Sequence, residues 1–162
     1  MKLETLEDLY VSELKDIYSA ENQILRALPK MAKAASAPEL REAFQEHLAQ
    51  TKTHVERLDQ IFDQMGKSAK GKKCKGMEGL IEEGKELMEE DAEEAVLDAG
   101  LISAAQRVEH YEIAAYGCVR TYARELGNSK AEKLLQQTLE EEGETDKKLS
   151  ELAESLINAQ AE

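Results

Sequence analysis

Apolar residues recur along this chain at intervals of three and four positions, with charged residues between them. In the first segment Leu14, Ile17, Ile24 and Leu28 fall on one face at about 3.6 residues per turn. The same period returns, with breaks, along the rest of the sequence. It predicts four long helices and one short helix, over residues 3–35, 38–65, 77–90 (the short one), 92–126 and 129–157.

The breaks between the helices predict how they connect. Residues 36–38 (SAP) and 127–128 (GN) leave room only for short turns, so the helices on either side should form antiparallel hairpins. Residues 67–76 (KSAKGKKCKG) are basic and lack an apolar period, and we interpret them as a mobile connection. Two hairpins joined by a long crossover with a short extra helix predict an all-α fold, the ferritin-like four-helix bundle. We expect a single domain over residues 1–162.

Three carboxylates interrupt the apolar stripes. At about 100° per residue, Glu21, Glu112 and Glu142 fall at the stripe centres of three different long helices. The other long helix carries His47 and His54 on or beside its apolar face. All four long helices should therefore direct polar side chains into the core.

Buried ionised carboxylates need a partner, because moving them out of water costs many kcal/mol. No Lys or Arg lies near a stripe centre, and Arg120 and Lys52 come closest, at the margins. Ion pairing inside the core is therefore disfavoured. Carboxylates and imidazoles that converge without a cation are the ligands that Fe and Mn take in helical bundles. We predict a site for one or two Fe or Mn ions; in the other interpretation the stripe centres are misjudged and the carboxylates are solvated.

The spacing from the turns puts these residues at one height. Glu21 lies 16 residues before Ala37 in the first turn, and Thr51 lies 14 residues after it. Glu112 and Glu142 stand in the same relation to the second turn, at Asn128. Equivalent polar positions are thus offset by 91 residues, which indicates a weak internal duplication.

Several candidates allow a second interpretation. Glu109 and Asp146 either bind metal or hydrogen-bond to a ligand, and His54 is equally open. We expect His47 to be a packed, hydrogen-bonded core histidine, and the run 140–144, apart from Glu142, to be a solvated face. The predicted metal ligands are Glu21, Glu112, Glu142, His54, Glu109 and Asp146.

Composition narrows the possible partners. A net charge of -13 disfavours nucleic acid and anionic membrane surfaces, which repel an acidic protein. No run of 18 apolar residues is present, and the first residues do not resemble a signal peptide, so we expect a cytoplasmic location. Cys74 and Cys118 lack metal-type spacing and are expected to be free thiols.

Four stretches carry a family resemblance: YSAENQILRALPKMAKAAS, FQEHLAQTKTHVERLDQIF, AAQRVEHYEIAAYG and EEEGETDKKL. They resemble the YciE/YciF family of bacterial ferritin-like stress proteins over nearly the whole chain. The resemblance implies a ferritin-like bundle, commonly a homodimer, with a di-iron-type site and a link to stress conditions.

Two departures from this pattern bear on the number of metal ions. Most di-iron bundles carry Glu-x-x-His twice, whereas this chain has Thr51-x-x-His54 and Glu142-x-x-Thr145. The resemblance also implies a Glu where this chain has Gln50, so that a ligand is replaced or is compensated by His54. One ion, an asymmetric pair and a full pair all stay open.

Two classes of function follow. In the first, a metalloprotein oxidises ferrous iron or reduces peroxide, as a ferroxidase-like or peroxidase/catalase-like oxidoreductase, with a metal ion or small oxidant as substrate. Glu21 and Glu112 would be terminal ligands, Glu142 would bridge, and His54 and Asp146 would complete or support the shell. In the second, an inert bundle with a degenerate site serves as an interaction or protective module. Mineral storage is a weaker third option.

Overall fold

The computed structural model describes residues 2–162, which form helices and short connections without a β-strand. Five helices of 15 to 32 residues are followed by a π-helical turn and a last short helix. Their bounds are α1 Leu6–Ala34, α2 Pro38–Met65, α3 Lys75–Glu89, α4 Glu94–Glu125, α5 Ser129–Leu152, the π-helical turn Ala153–Ile157 and α6 Asn158–Gln160.

Local capping explains where α1 and α3 begin. Thr5 Oγ1 accepts a hydrogen bond from the Asp8 amide at 3.1 Å, and the Asp8 carboxylate accepts one from the Thr5 amide at 3.0 Å. This capping box starts α1 three residues later than the apolar period indicates. Cys74 caps α3 through its sulfur, 3.4 Å from the Met77 amide nitrogen, so α3 begins two residues earlier than predicted.

The helices pack as two sequential pairs that contact each other. Helix α1 packs on α2 and helix α4 on α5, each pair joined by a three-residue connection. Contacts of α1 with α4 and of α2 with α5 bring the pairs together, and α3 lies against α1 and α4. Each of the four long helices therefore packs against two of the others.

Asp98 of α4 fixes the turn between α1 and α2. Its two carboxylate oxygens accept hydrogen bonds from the backbone amides of Ser36 and Ala37, both at 2.8 Å, and the side chain is buried. Ala37 has no side chain that can cap α2. A residue 61 positions away therefore satisfies amide donors at this helix start.

The basic connection makes hydrogen bonds to α1. Ser19 Oγ accepts a hydrogen bond from the Cys74 amide at 2.9 Å, and Gln23 Nε2 donates to the Cys74 carbonyl at 3.0 Å. Lys72 donates to Ser12 Oγ at 3.1 Å. The end of the segment therefore packs on α1 through partners more than 50 positions away, which no local pattern shows. Residues 75–76 belong to α3, and the mobility of residues 67–74 stays a prediction.

Buried apolar residues form two clusters. One includes Ile24, Phe44 and Leu149, and the other includes Ile17 and Tyr116. Along each long helix, the polar residues predicted for the core lie between members of the two clusters. The core is thus divided by a layer of buried polar side chains.

Two further expectations can be compared with the structure. Cys74 and Cys118 are free thiols, as expected. Among residues 2–162, no helix combines the length and the apolar character needed to cross a bilayer.

Candidate metal centre

Six acidic and imidazole side chains from the four long helices meet in the polar layer. Each is at most 4% exposed to solvent. Helical spacing puts the paired residues on one inward face of each helix. Positions 47 and 54 are about two turns apart, and positions 109 and 112 are about one turn apart. They are Glu21 from α1, His47 and His54 from α2, Glu109 and Glu112 from α4, and Glu142 from α5.

These side chains form two groups in which one potential ligand atom from each residue lies within 4.8 Å of all the others. The first group is His47, Glu109, Glu112 and Glu142. The second group is Glu21, His54 and Glu142. Glu142 belongs to both groups and therefore stands where one carboxylate can face two ions.

Two short contacts in the cluster join an imidazole nitrogen to a carboxylate without the geometry of a hydrogen bond. His47 Nε2 lies 2.9 Å from Glu109 Oε1, and His54 Nδ1 lies 2.9 Å from Glu142 Oε1, yet neither nitrogen has a hydrogen-bond partner within residues 2–162. Both oxygens of Glu112 and of Glu142 also lack one. Buried polar atoms are nearly always paired, so this concentration of unpaired atoms has the chemistry of a ligand set.

A charged pair at the edge of the cluster orients His54. Its Nε2 lies 2.9 Å from Glu141 Oε2, and the Arg57 guanidinium binds both oxygens of Glu141 at 2.7 and 2.8 Å. An ionised carboxylate only accepts hydrogen bonds, so Nε2 of His54 carries the hydrogen and Nδ1 faces Glu21 and Glu142. This carboxylate and histidine arrangement is the usual support of a metal-bound imidazole.

Arg57 and Glu141 also correct two expectations. Arg57 is only 8% exposed, although the stripe analysis placed no cation near the core other than the marginal Arg120 and Lys52. Glu141 was assigned to a solvated face but pairs with Arg57 and His54. Both lie one step from the apolar stripe, where a long side chain can reach inward although its Cα faces outward.

Tyr116 holds Glu21 on the opposite side. Its buried hydroxyl donates to Glu21 Oε1 at 2.5 Å, while Glu21 Oε2 has no partner among the described residues. Burial and the nearby Glu21 carboxylate raise the pKa of Tyr116 well above its ordinary value, so the phenol stays protonated and donates. Tyr116 thus fixes Oε1, which also lies 3.4 Å from His54 Nδ1, and leaves Oε2 of Glu21 unpaired.

Burial and the neighbouring charges shift the pKa values of the clustered groups. Burial and the charge of Glu142 raise the pKa values of Glu109 and Glu112 well above the ordinary value. Burial lowers the pKa of His47, which is therefore neutral. Burial opposes the charge on His54, but the neighbouring Glu142 and Glu21 outweigh it and raise the pKa of His54 to about 10. For Glu142 burial is likewise outweighed, here by the histidines and Glu109, which lower its pKa to about 2.

The structure places the other sequence candidates outside the two groups. Asp146 accepts hydrogen bonds from Gln106 at 3.2 Å and from His110 at 3.1 Å, at the bundle surface. Gln50 accepts a hydrogen bond from Thr145 at 3.1 Å, and Thr51 donates to the His47 carbonyl at 2.8 Å. By contrast His47, interpreted from sequence as a hydrogen-bonded core residue, lies in the first group with both ring nitrogens unpaired. Its spacing of seven residues from His54 was the signal for a shared face.

Nearly the whole chain matches a known protein family. The sequence profile of the family described as "Domain of unknown function (DUF892)" matches residues 5–162. The chain belongs to this family. The resemblance to YciE/YciF proteins is confirmed as well, because the chain is 49% identical to Protein YciF of Escherichia coli (strain K12) over 163 residues, covering 100% of this chain and 98% of that protein.

Solved structures agree with the DUF892 assignment. The crystal structure of the E. coli stress protein YciF matches with a TM-score of 0.93, covering 96% of this chain and 99% of that one. YcfI of Rhodopseudomonas palustris is 42% identical, with a TM-score of 0.89 and coverages of 92% and 95%. A Xanthomonas campestris protein at 19% identity and a TM-score of 0.76, covering 96% of this chain and 95% of that one, shares the fold.

Proposed function

We propose that this chain is a stress-related, ferritin-like protein that holds Fe or Mn ions in its polar layer and uses them to handle oxygen, peroxide or ferrous iron. The observation that carries the proposal is the set of buried carboxylate and imidazole atoms that approach one another without hydrogen bonds. Such a set is costly to bury unless a cation binds it. The similarity to the E. coli stress protein YciF supports the link to stress.

The geometry suggests how the ligands divide between two ions. His47, Glu109 and Glu112 would hold one ion, Glu21 and His54 the other, and Glu142 would bridge them. Bound Fe or Mn would supply one-electron chemistry toward oxygen or peroxide. The chain itself positions the ligands: Tyr116 holds Glu21, Glu141 orients His54, and the apolar clusters on both sides keep bulk water away. Asp146, which accepts hydrogen bonds from Gln106 and His110, lies outside both ligand groups.

One observation favours the alternative of an inert bundle. In the metal-free chain, His54 carries a positive charge beside Glu21, Glu141 and Glu142, so part of the acidic cluster is already neutralised. Thr51 occupies a position where di-iron bundles usually carry a metal ligand, but its hydroxyl donates a hydrogen bond to the backbone carbonyl of His47. Under this alternative the chain keeps the bundle as an interaction or protective module with a degenerate site.

Metal titration of the purified protein separates the two functions. We expect metal-free protein to take up one or two Mn(II) or Fe(II) ions per chain under anaerobic dialysis, with a higher thermal midpoint when metal is bound. Glu112→Gln removes a ligand charge from the first group and should lose at least one ion. Glu125→Gln, an exposed acid at the end of α4, is the matched control and should bind like wild type.

The chemistry is tested next, with the loaded protein. Consumption of hydrogen peroxide, or oxidation of added Fe(II) in air, should be abolished by Glu112→Gln and unchanged by Glu125→Gln. Absence of metal uptake and of any shift in the thermal midpoint would support the inert bundle instead.

We also propose that the protein is a homodimer located in the cytoplasm. Light scattering should then give twice the chain mass of 18.1 kDa.

A further inference from the structure

A cavity of about 380 Å³ lies beside the metal centre. All five main helices contribute to its lining, and His47 and Glu109 form part of its wall. The remaining wall is mainly apolar, with side chains such as Ile24, Leu28, Phe44 and Val108. This volume lies in the range of small-molecule pockets and is far larger than the share of one water molecule, about 30 Å³.

Small residues keep the space open. Gly84 of α3 is buried, and a Cβ added there would meet only the Cβ of Ala104, at the ordinary distance of 3.8 Å. Ala43 and Ala105 also line the cavity. Glycine inside a helix costs about 1 kcal/mol relative to alanine. A buried mid-helix glycine with room for a side chain thus lowers helix stability and leaves volume for a ligand.

The rim of the cavity is positively charged in an otherwise acidic protein. Arg26, Lys30, Lys85 and Lys148 line it, against two acidic rim residues. Lys148 pairs with Glu46, and Lys85 lies near acidic residues of its own helix. Arg26 and Lys30 are one turn apart on α1, are exposed, and form no ion pair within residues 2–162.

We propose that this cavity binds an unbranched amphipathic carboxylate of the fatty-acid type. The apolar chain would occupy the cavity, and the carboxylate would pair with Arg26 and Lys30 at the rim. The unpaired cations favour an anionic head group over a neutral one, and the apolar wall favours an alkyl chain over a small hydrophilic anion. Binding itself does not require metal. The inner end of the ligand would reach the wall formed by His47 and Glu109 and cover the metal centre there. This last step rests on the proposed function.

Calorimetric titration of the full-length chain with decanoate and with decan-1-ol tests the head group. Decanoate should bind saturably at one site, and decan-1-ol about tenfold more weakly, because it lacks the charge-assisted contacts. The double variant Arg26→Gln/Lys30→Gln should weaken decanoate binding about tenfold and leave decan-1-ol unchanged. The matched control Lys130→Gln/Lys133→Gln removes two exposed cations of α5 that do not line the cavity, and it should bind like wild type.

Filling the cavity tests the location. Gly84→Leu places a side chain in the cavity without a clash at Cβ and improves helix propensity, so it should fold, which circular dichroism checks. It should abolish binding of both ligands. Gly79→Leu, at an exposed position of the same helix with nothing within 4 Å, should leave binding intact.

The titrations are run on metal-free and Mn(II)-treated protein, so that the two proposals fail separately. Decanoate binding to protein that takes up no metal would support the cavity proposal and contradict the metal function. Metal uptake without saturable decanoate binding, or decanoate binding that survives Gly84→Leu, would overturn the cavity proposal and leave the metal function standing.

Discussion

Two residues, Arg57 and Glu141, determine which nitrogen of His54 is available to a metal. The Arg57 guanidinium holds the pKa of Glu141 below its ordinary value, so Glu141 is an ionised acceptor for the His54 Nε2 hydrogen. In a neutral ring this leaves a lone pair on Nδ1, which faces Glu21 and Glu142. Arg57 and Glu141 thus fix the direction of a ligand without belonging to either ligand group.

Glu141→Gln should therefore weaken metal binding without removing a ligand. The neutral amide no longer fixes the hydrogen on Nε2 and no longer attracts Arg57. Losing such a support typically lowers metal affinity 10- to 100-fold, and we expect a loss of about that size here. Equilibrium dialysis with Mn(II), followed by elemental analysis, measures the affinity.

The neighbouring exposed acid supplies the control. Glu140→Gln changes the same charge one position away, on the outer side of α5, and should bind metal like wild type. Equal affinities for Glu141→Gln and Glu140→Gln would show that Glu141 does not orient His54.

The sequence contained the central residues of the cluster but not their support. Helical geometry alone directs Glu21, Glu112 and Glu142 inward, because each stands at the middle of an apolar stripe. It does not find Arg57 or Glu141, since their Cα positions lie off the stripe and only the reach of the side chains buries Arg57 and half-buries Glu141. Side-chain reach depends on the partner across the interface, which one helix does not show.

At the level of the helices, Asp98 joins α4 to the start of α2. Its carboxylate accepts hydrogen bonds from the amides of Ser36 and Ala37, just before a helix that has no side-chain cap, and in doing so ties one helix pair to the other. Asp98→Ala would leave two backbone amides near the helix start without an acceptor. We expect a loss of about 2 kcal/mol in the free energy of unfolding, from the values of helix caps and of hydrogen bonds to charged groups.

Urea unfolding of the metal-free protein, followed by circular dichroism at 222 nm, measures this loss. Asp91→Ala, an exposed substitution in the connection before α4, is the control and should change the free energy of unfolding by less than about 0.5 kcal/mol. If the two variants unfold at the same midpoint, Asp98 does not stabilise the turn. A changed denaturant slope would instead indicate a different unfolded state.

Helix positions were predictable because periodicity is a local property, whereas connections depend on contacts distant in sequence. The period of apolar residues and the breaks at residues 36–38 and 127–128 locate the four long helices to within a few residues. The contacts of the segment leading into α3 were not predictable, because its composition resembles a mobile linker while Ser19 and Gln23 of α1 hydrogen-bond to its end. Charge and the lack of a period describe the segment and not its docking surface.

For the molecule as a whole, the polar layer is a cost in stability that metal would offset. Glu109 and Glu112 have raised pKa values, so their ionised forms are disfavoured in the folded state. A group whose pKa is higher in the folded than in the unfolded state contributes less stability as pH rises through the gap between the two values. The pKa of His54 is raised from 6.5 to about 10, so His54 likewise contributes less stability as the pH rises between these two values.

We therefore expect the metal-free protein to unfold at a lower temperature at pH 8.5 than at pH 6.5. The pKa of Glu142 is lowered to about 2, so Glu142 changes stability only far below this window. The pKa of His47 is lowered below 6.5, so His47 opposes the trend only weakly, at the lower edge of the window, where the unfolded imidazole is still partly protonated. Metal reverses the dependence, because its ligands must be deprotonated and its affinity rises with pH. Thermal scans at both pH values, with chelator and with excess Mn(II) under argon, measure the two trends.

The variant Glu109→Gln/Glu112→Gln separates this cause from the general repulsion of an acidic chain. It removes two groups with raised pKa values and keeps their shape, so the pH dependence with chelator should become shallower while the net charge stays strongly negative. His54 still contributes, so some slope should remain. With Mn(II), the variant should lack the stabilisation that wild type shows at pH 8.5, because two ligands of the first group are gone. A metal-free slope as steep in the variant as in wild type would show that surface repulsion, and not the buried layer, governs stability against pH.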